Sequence, residues 1–237
     1  RGDRAIVLVA VTDRHAFGEP LRFASEDVRN DKEVVLSALG PGLRENNAQH
    51  IIRKNRALEY ASEDLLRDRA FVLAACKKNG EALGCACEDL RHDREFVLAA
   101  VRENGLALKS APCEMFEDKD VVLAAANERG WVEYKWNGPN CWSGPLAWAS
   151  EDLCNDKEVV LAAVRGRKRG WALEDASADL RNDKTVVLAA VKQCGWALKY
   201  ASEALRGDRA VVLAAVKQHG LALRYAATEI RSDRGVV

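Results

Sequence analysis

From Asp183 the chain runs D-K-T-V-V-L-A-A-V-K-Q-C-G-W-A-L-K-Y-A-S-E-A-L-R-G, and at Asp208 the same pattern begins again. A polar pair leads into a short apolar run. Lysine and a glycine follow, and then a second stretch carries Ala and Leu between polar neighbours. Aspartates with this context recur at Asp3, Asp31, Asp68, Asp93, Asp118, Asp156, Asp183, Asp208 and Asp233, at intervals of 28, 37, 25, 25, 38, 27, 25 and 25 residues. The unit is therefore 25 residues long, with extra residues in some copies. With the aspartate as slot zero, slot one is always Lys or Arg and slot four always Val. The full units share Leu at slot five and Ala at slot seven. Such self-similarity is the signature of a repeat architecture.

Each unit opens a helix. The aspartate is a good N-cap for the free amides of the first turn. Glu33, Glu95, Asp120 and Glu158 add acids near the positive end of the helix dipole. The run V-V-L-A-A-V then covers most of a helix circumference, which predicts packing on more than one side. Gly80, Gly105, Gly130, Gly195 and Gly220 follow it, and a left-handed glycine is expected to end the helix there. The second half, as in WALKYASEALR (196–206), reads either as one helix or as a shorter helix followed by a serine-capped turn. Pro112 at the serine slot favours the break, because proline is tolerated in a first turn and not mid-helix. A lone 25-residue unit buries too little apolar surface to offset the entropy of ordering it, so neighbours must stack. The expected fold is all-α: one α-solenoid array of about eight repeats over 1–237, with a partial unit at Asp233.

The run D-K-E-V-V-L-A-A-V, then G-W-A-L, then A-S-A-D-L-R-N-D, between Asp156 and Asp183, resembles the tandem repeats of a domain of unknown function numbered 4116. The resemblance covers the chain apart from its insertions. It implies a helical repeat array and carries over no activity and no catalytic residue.

The insertions all fall between the first helix and the second half of the unit, near His15–Phe17, at 40–55, at 131–143 and at 165–170. A shared insertion point predicts loops along one edge, a common place for a binding face. The stretch WVEYKWNGPNCWS (131–143) holds Trp131, Tyr134, Trp136, Asn140 and Trp142. Trp and Tyr concentrate binding energy at interfaces, so this loop either docks a partner or packs on its own scaffold. Ile51 and Ile52 stand between polar neighbours in the second insertion. Arg167, Lys168 and Arg169 lie in RGRKRG, which reads as a contact for phosphates or an acidic partner, or as a solvated loop. Slot twenty-one is acidic in Asp27, Asp64, Asp89, Glu114, Asp152, Asp179 and Glu229. With the basic slot one it forms a charge ladder, read either as partner recognition or as ion pairing between adjacent units plus helix capping.

Composition narrows the function. Lys+Arg and Asp+Glu are 36 each, so the basic excess of a nucleic-acid protein is missing. The longest apolar run, Ala5–Val11, is too short to span a bilayer. Seven cysteines without a Cys-x-x-Cys pair read as reduced thiols, which points to an intracellular, cytoplasmic or organellar, location. No hydrolase, zinc-protease, phosphate-loop or dinucleotide motif occurs, and His15, His50, His92 and His219 fall in separate units. Neither end carries a polar capping unit, so the array is expected to continue or its ends to meet another protein. The sequence thus points to a non-catalytic scaffold for protein–protein interaction, an accessory or structural subunit of a larger assembly. It implies no cofactor and no metal. The alternative is a ligand- or cofactor-binding module with 131–143 as its lid.

Overall fold

The computed structural model describes residues 4–12, 18–39, 56–127, 144–165 and 169–232. Among them helix is the only regular secondary structure, as the repeat pattern predicts. The described residues fall into two compact units. The first runs to Met115; the second takes Phe116–Asn127 and continues from residue 144 onward.

Three short elements make a repeat. In the first unit the repeat of Asp68 consists of the α-helix Arg69–Lys78, the 3-10 helix Gly80–Cys85 and the α-helix Glu88–His92. In the second, the repeat of Asp183 consists of Lys184–Gln193, Gly195–Tyr200 and Glu203–Arg206. The second half of the unit is thus broken, as Pro112 indicated. Ser62, Ser177 and Ser202 each accept a backbone N–H three residues on and cap the short helix. Spacing explains why the middle element is a 3-10 turn. Gly195, Leu198 and Ala201 stand three apart and are all buried, and three residues per turn is the period that aligns them.

In the repeats of Asp68, Asp93, Asp118, Asp156 and Asp183 the long helices bury slots three, four, seven and eight. In the repeat of Asp183 these are Val186, Val187, Ala190 and Val191, all without exposed surface. Phe71 and Phe96 fill slot three in the first unit. From the 3-10 turns Leu83 and Leu108 enter the core of the first unit, and Leu173 and Leu198 that of the second.

The glycine after the long helix does not take the expected left-handed conformation. Among the described glycines only Gly18, at φ 80°, lies in that region. The turn is made instead by the residue before the glycine, extended at φ −148° in Asn79 and Cys194. Glycine is needed because the next repeat is too close. A Cβ on Gly195 would lie 2.4 Å from the carbonyl oxygen of Ala215, and one on Gly170 would lie 2.5 Å from that of Ala190. Gly130 lies outside the described residues.

Within each unit, backbone bonds also tie repeat to repeat. The N–H of Ser62 donates to the carbonyl of Arg29 at 3.2 Å, and that of Cys87 to Leu66 at 3.0 Å. In the second unit Ser177 donates to Cys154, Ser202 to Arg181 and Ala227 to Arg206, each at 2.9 Å. The serine hydroxyl adds a second tie, donating to the preceding repeat's Asn at 2.6 Å from Ser62 to Asn30 and from Ser202 to Asn182.

Candidate functional site

The recurrent aspartate does two jobs at once. One oxygen, Oδ1, accepts backbone N–H groups at the start of its own helix: Val186 at 3.2 Å for Asp183, Val211 at 3.1 Å for Asp208, Phe96 at 3.0 Å for Asp93. The other, Oδ2, takes the slot-one cation of the preceding repeat. In the first unit Lys32 reaches Asp68 and Arg69 reaches Asp93, both at 2.5 Å. In the second, Lys157 reaches Asp183 and Lys184 reaches Asp208 at 2.6 Å, and Lys119 reaches Asp156 at 2.7 Å. A serine cap has one oxygen and no charge; only an acid serves both partners. The cation beside each carboxylate, helped by the capping amides, holds Asp31, Asp68, Asp93, Asp156, Asp183 and Asp208 below the ordinary range.

The charge ladder therefore runs between repeats, but its acidic rail is slot zero. The slot-twenty-one acids lie in the first turns of the short helices, where Asp27, Asp64, Asp89, Asp152 and Asp179 are exposed. Glu114 there meets His92 Nδ1 at 2.6 Å.

One row of the long helix stays partly open. The slot-five leucines, Leu73 and Leu98 in the first unit and Leu161, Leu188 and Leu213 in the second, are half-buried. Four residues on, and so on the same helix face, stand the exposed cations Lys77, Arg102, Arg165, Lys192 and Lys217. In these five repeats the long helix offers an apolar spot beside a basic one.

A different pattern lies on the 3-10 turns. Trp171 packs edge-on against Tyr200 of the next repeat at 5.9 Å, and Trp196 against Tyr225 at 6.0 Å. These pairs join slot thirteen of one repeat to slot seventeen of the next. Their signal was present in the recurring aromatics at those slots, and it was overlooked beside the aromatic insertion.

Trp131, Tyr134, Trp136, Asn140, Trp142, Ile51, Ile52, Arg167 and Lys168 lie outside the described residues. Arg169 opens the 3-10 helix Arg169–Glu174, and its side chain is also outside them. The insertions near His15–Phe17, at 40–55 and at 131–143, and residues 166–168 of the fourth, lie outside the described residues.

Among the described residues no group of three or more His, Cys, Asp or Glu is placed to hold a metal ion, and no helix is long and apolar enough to cross a membrane. The described cysteines are free thiols. Burial pushes the Cys76 thiol up to about 12, so it stays protonated and unreactive at neutral pH.

Asp175 departs from the other acids. Burial, and then the neighbouring charge of Glu174, raise its carboxyl to about 6. A raised carboxyl favours the folded state below the unfolded value near ~3.9 and loses that advantage as pH rises through about 6. At pH 7 the ionised group opposes folding. Asp175→Asn is expected to stabilise the chain at pH 7 by about 1–2 kcal/mol after allowance for partial solvent screening. Urea melts should show this gain shrinking toward pH 4; a gain of equal size at both values would sink the assignment.

The model of a family described as a domain of unknown function, DUF4116, matches residues 50–91, 93–132, 144–181 and 167–206. The matches tile the repeats in tandem. No curated protein and no solved structure matches the chain.

Proposed function

The chain belongs to the DUF4116 family, and on that footing we propose that it is a non-catalytic helical-repeat scaffold that holds another protein inside the cell, as an accessory or structural subunit of a larger assembly. One observation carries this reading. The described slot-zero aspartates, with cations of slot one, are engaged in the seams between repeats, while the long helices of the repeats of Asp68 and Asp93 in the first unit, and of Asp156, Asp183 and Asp208 in the second, leave a half-buried leucine beside a cation. Such a row suits an acidic protein segment with apolar anchors, since charge complementarity sets register and the apolar contacts supply affinity. The tryptophan insertion at 131–143 would add an aromatic anchor to that surface.

The test is deletion of 131–143 in the purified chain, with retention of its stoichiometric partner and thermal melting read together. Loss of retention at an unchanged melting temperature is the expected outcome. Unchanged retention with a lowered melting temperature would mean that the aromatics only pack on their own scaffold. A small molecule detected by mass in the purified protein would favour the ligand-binding reading instead.

A further inference from the structure

The lateral face of the long helices keeps its apolar part from repeat to repeat, but its charge changes. In the second unit the helices Lys157–Arg165, Lys184–Gln193 and Arg209–Gln218 touch in succession. Each leaves a half-buried Leu–Ala pair on that face: Leu161 with Ala162, Leu188 with Ala189, and Leu213 with Ala214. The repeats of Asp156 and Asp183 each have a described repeat on either side, so this face is open in the interior of the array.

The cations beside the strip are engaged differently in the two units. In the first, Lys77 at slot nine is taken by Glu103, at slot ten of the next repeat, 3.2 Å away. In the second, Gln193 and Gln218 hold the place of Glu103, in the same register to Arg165 and Lys192. Arg165, Lys192 and Lys217 are exposed and enter no ion pair among the described residues. On the other side of the strip Glu158 is tied to Lys119 at 2.8 Å, and Thr185 and Ala210 fill the same slot uncharged. The strip of the second unit is thus apolar with one edge of uncompensated positive charge.

We propose that this strip seats an acidic amphipathic α-helix of another protein, laid across the three long helices with its carboxylates over Arg165, Lys192 and Lys217. The inference rests on the scaffold reading and names the kind of segment held. Charge complementarity selects the acidic flank and sets the register. The helical form follows from the chemistry of the strip. It consists of side chains on helices whose backbone groups bond along their own axes. An extended segment would find no partners there for its N–H and C=O groups, whereas a helix arrives with its own already paired. Packed helices stand about 8–10 Å apart, so three of them span roughly 16–20 Å, the length of a helix of about 12–14 residues. The leucines supply the apolar contact, and the alanines between them let the partner backbone come close.

Fluorescence anisotropy of the full chain tests this with a hydrocarbon-stapled helical peptide of about 14 residues, Leu and Ala on one face and Glu along one flank. Titration runs to about 1 mM, where even a millimolar Kd registers. Saturable binding is expected, and the same peptide with Lys in place of Glu should bind about tenfold more weakly. Gln193→Glu with Gln218→Glu gives the second unit the acid of the first, and should weaken the Glu peptide about fivefold without lowering the melting temperature. Lys192→Glu with Lys217→Glu should reverse the preference toward the Lys peptide. All four positions are exposed, and melting curves confirm that the variants fold. No binding of the Glu peptide, equal binding of both peptides, or indifference to both double variants overturns the proposal. Tighter binding to phosphatidylglycerol vesicles than to the peptide, lost with the same lysines, also overturns it and puts a membrane surface in its place. The scaffold reading fails separately. A chain that keeps its stoichiometric partner but ignores the peptide ends this inference alone, and a chain that binds the peptide but retains no partner ends the scaffold reading.

Discussion

Replacing Gly195 by alanine is expected to cost about 2–4 kcal/mol, whereas the same replacement at Gly220 is expected to be neutral or to stabilise by up to ~1 kcal/mol. Both glycines hold slot twelve, both open a 3-10 turn, and neither has a positive φ. They differ in what faces them. The new methyl at Gly195 would sit 2.4 Å from the Ala215 carbonyl oxygen and 3.2 Å from the His219 nitrogen, both backbone atoms of the next repeat, and that at Gly220 would sit in open space. Backbone cannot rotate aside as a side chain does, so the seam between these repeats must widen and uncover Val191 and Val211. Urea unfolding gives the free energies. Hydrogen exchange places the damage, with faster exchange at the C-terminal end of Lys184–Gln193 and in Arg209–Gln218 for Gly195→Ala alone. Equal losses at both sites would mean that this glycine serves the turn and not the close approach.

That contrast shows where sequence reading succeeded and where it stopped. The unit length, the aspartate cap, the apolar stripe and the break before the serine were legible, because each is a local preference written again in every repeat. The glycine was misread because the same local signal, a glycine after a basic helix end, serves two purposes. A left-handed cap is a property of one chain segment; a close approach is a property of two. The 3-10 turn was written in the three-residue spacing of Gly195, Leu198 and Ala201, but over six residues that spacing is hard to tell from an α-helix. The aspartate's second role was hidden for the same reason as the glycine's. Its cap lies in its own repeat, and its cation lies one repeat back. The insertions repeat nothing, so no internal comparison constrains them.

Acid is expected to unfold the array through those same aspartates. Their carboxyls are held below the ordinary range by the preceding repeat's cation, with the capping amides adding to it. A depressed carboxyl stabilises the fold at every pH above its unfolded value near ~3.9, and the contribution disappears as pH falls through the folded value. Because the device recurs at Asp31, Asp68, Asp93, Asp156, Asp183 and Asp208, the losses add up below about pH 4, at roughly 0–1 kcal/mol for each of these solvent-screened pairs. Asp175 acts with the opposite sign between the unfolded value and about 6. The two effects together place maximum stability on the acid side of neutrality, near ~5, with a steep fall beneath it. Asp183→Asn separates cap from charge. The amide oxygen still accepts from Thr185 and Val186, but Lys157 loses its anion. At pH 7 this variant should lose roughly 0–1 kcal/mol, and its proton uptake on unfolding near pH 3 should fall by about one. An acid limb identical to that of the wild type would show that Lys157 leaves the carboxyl unperturbed and that the seams are held by apolar packing and backbone bonds alone.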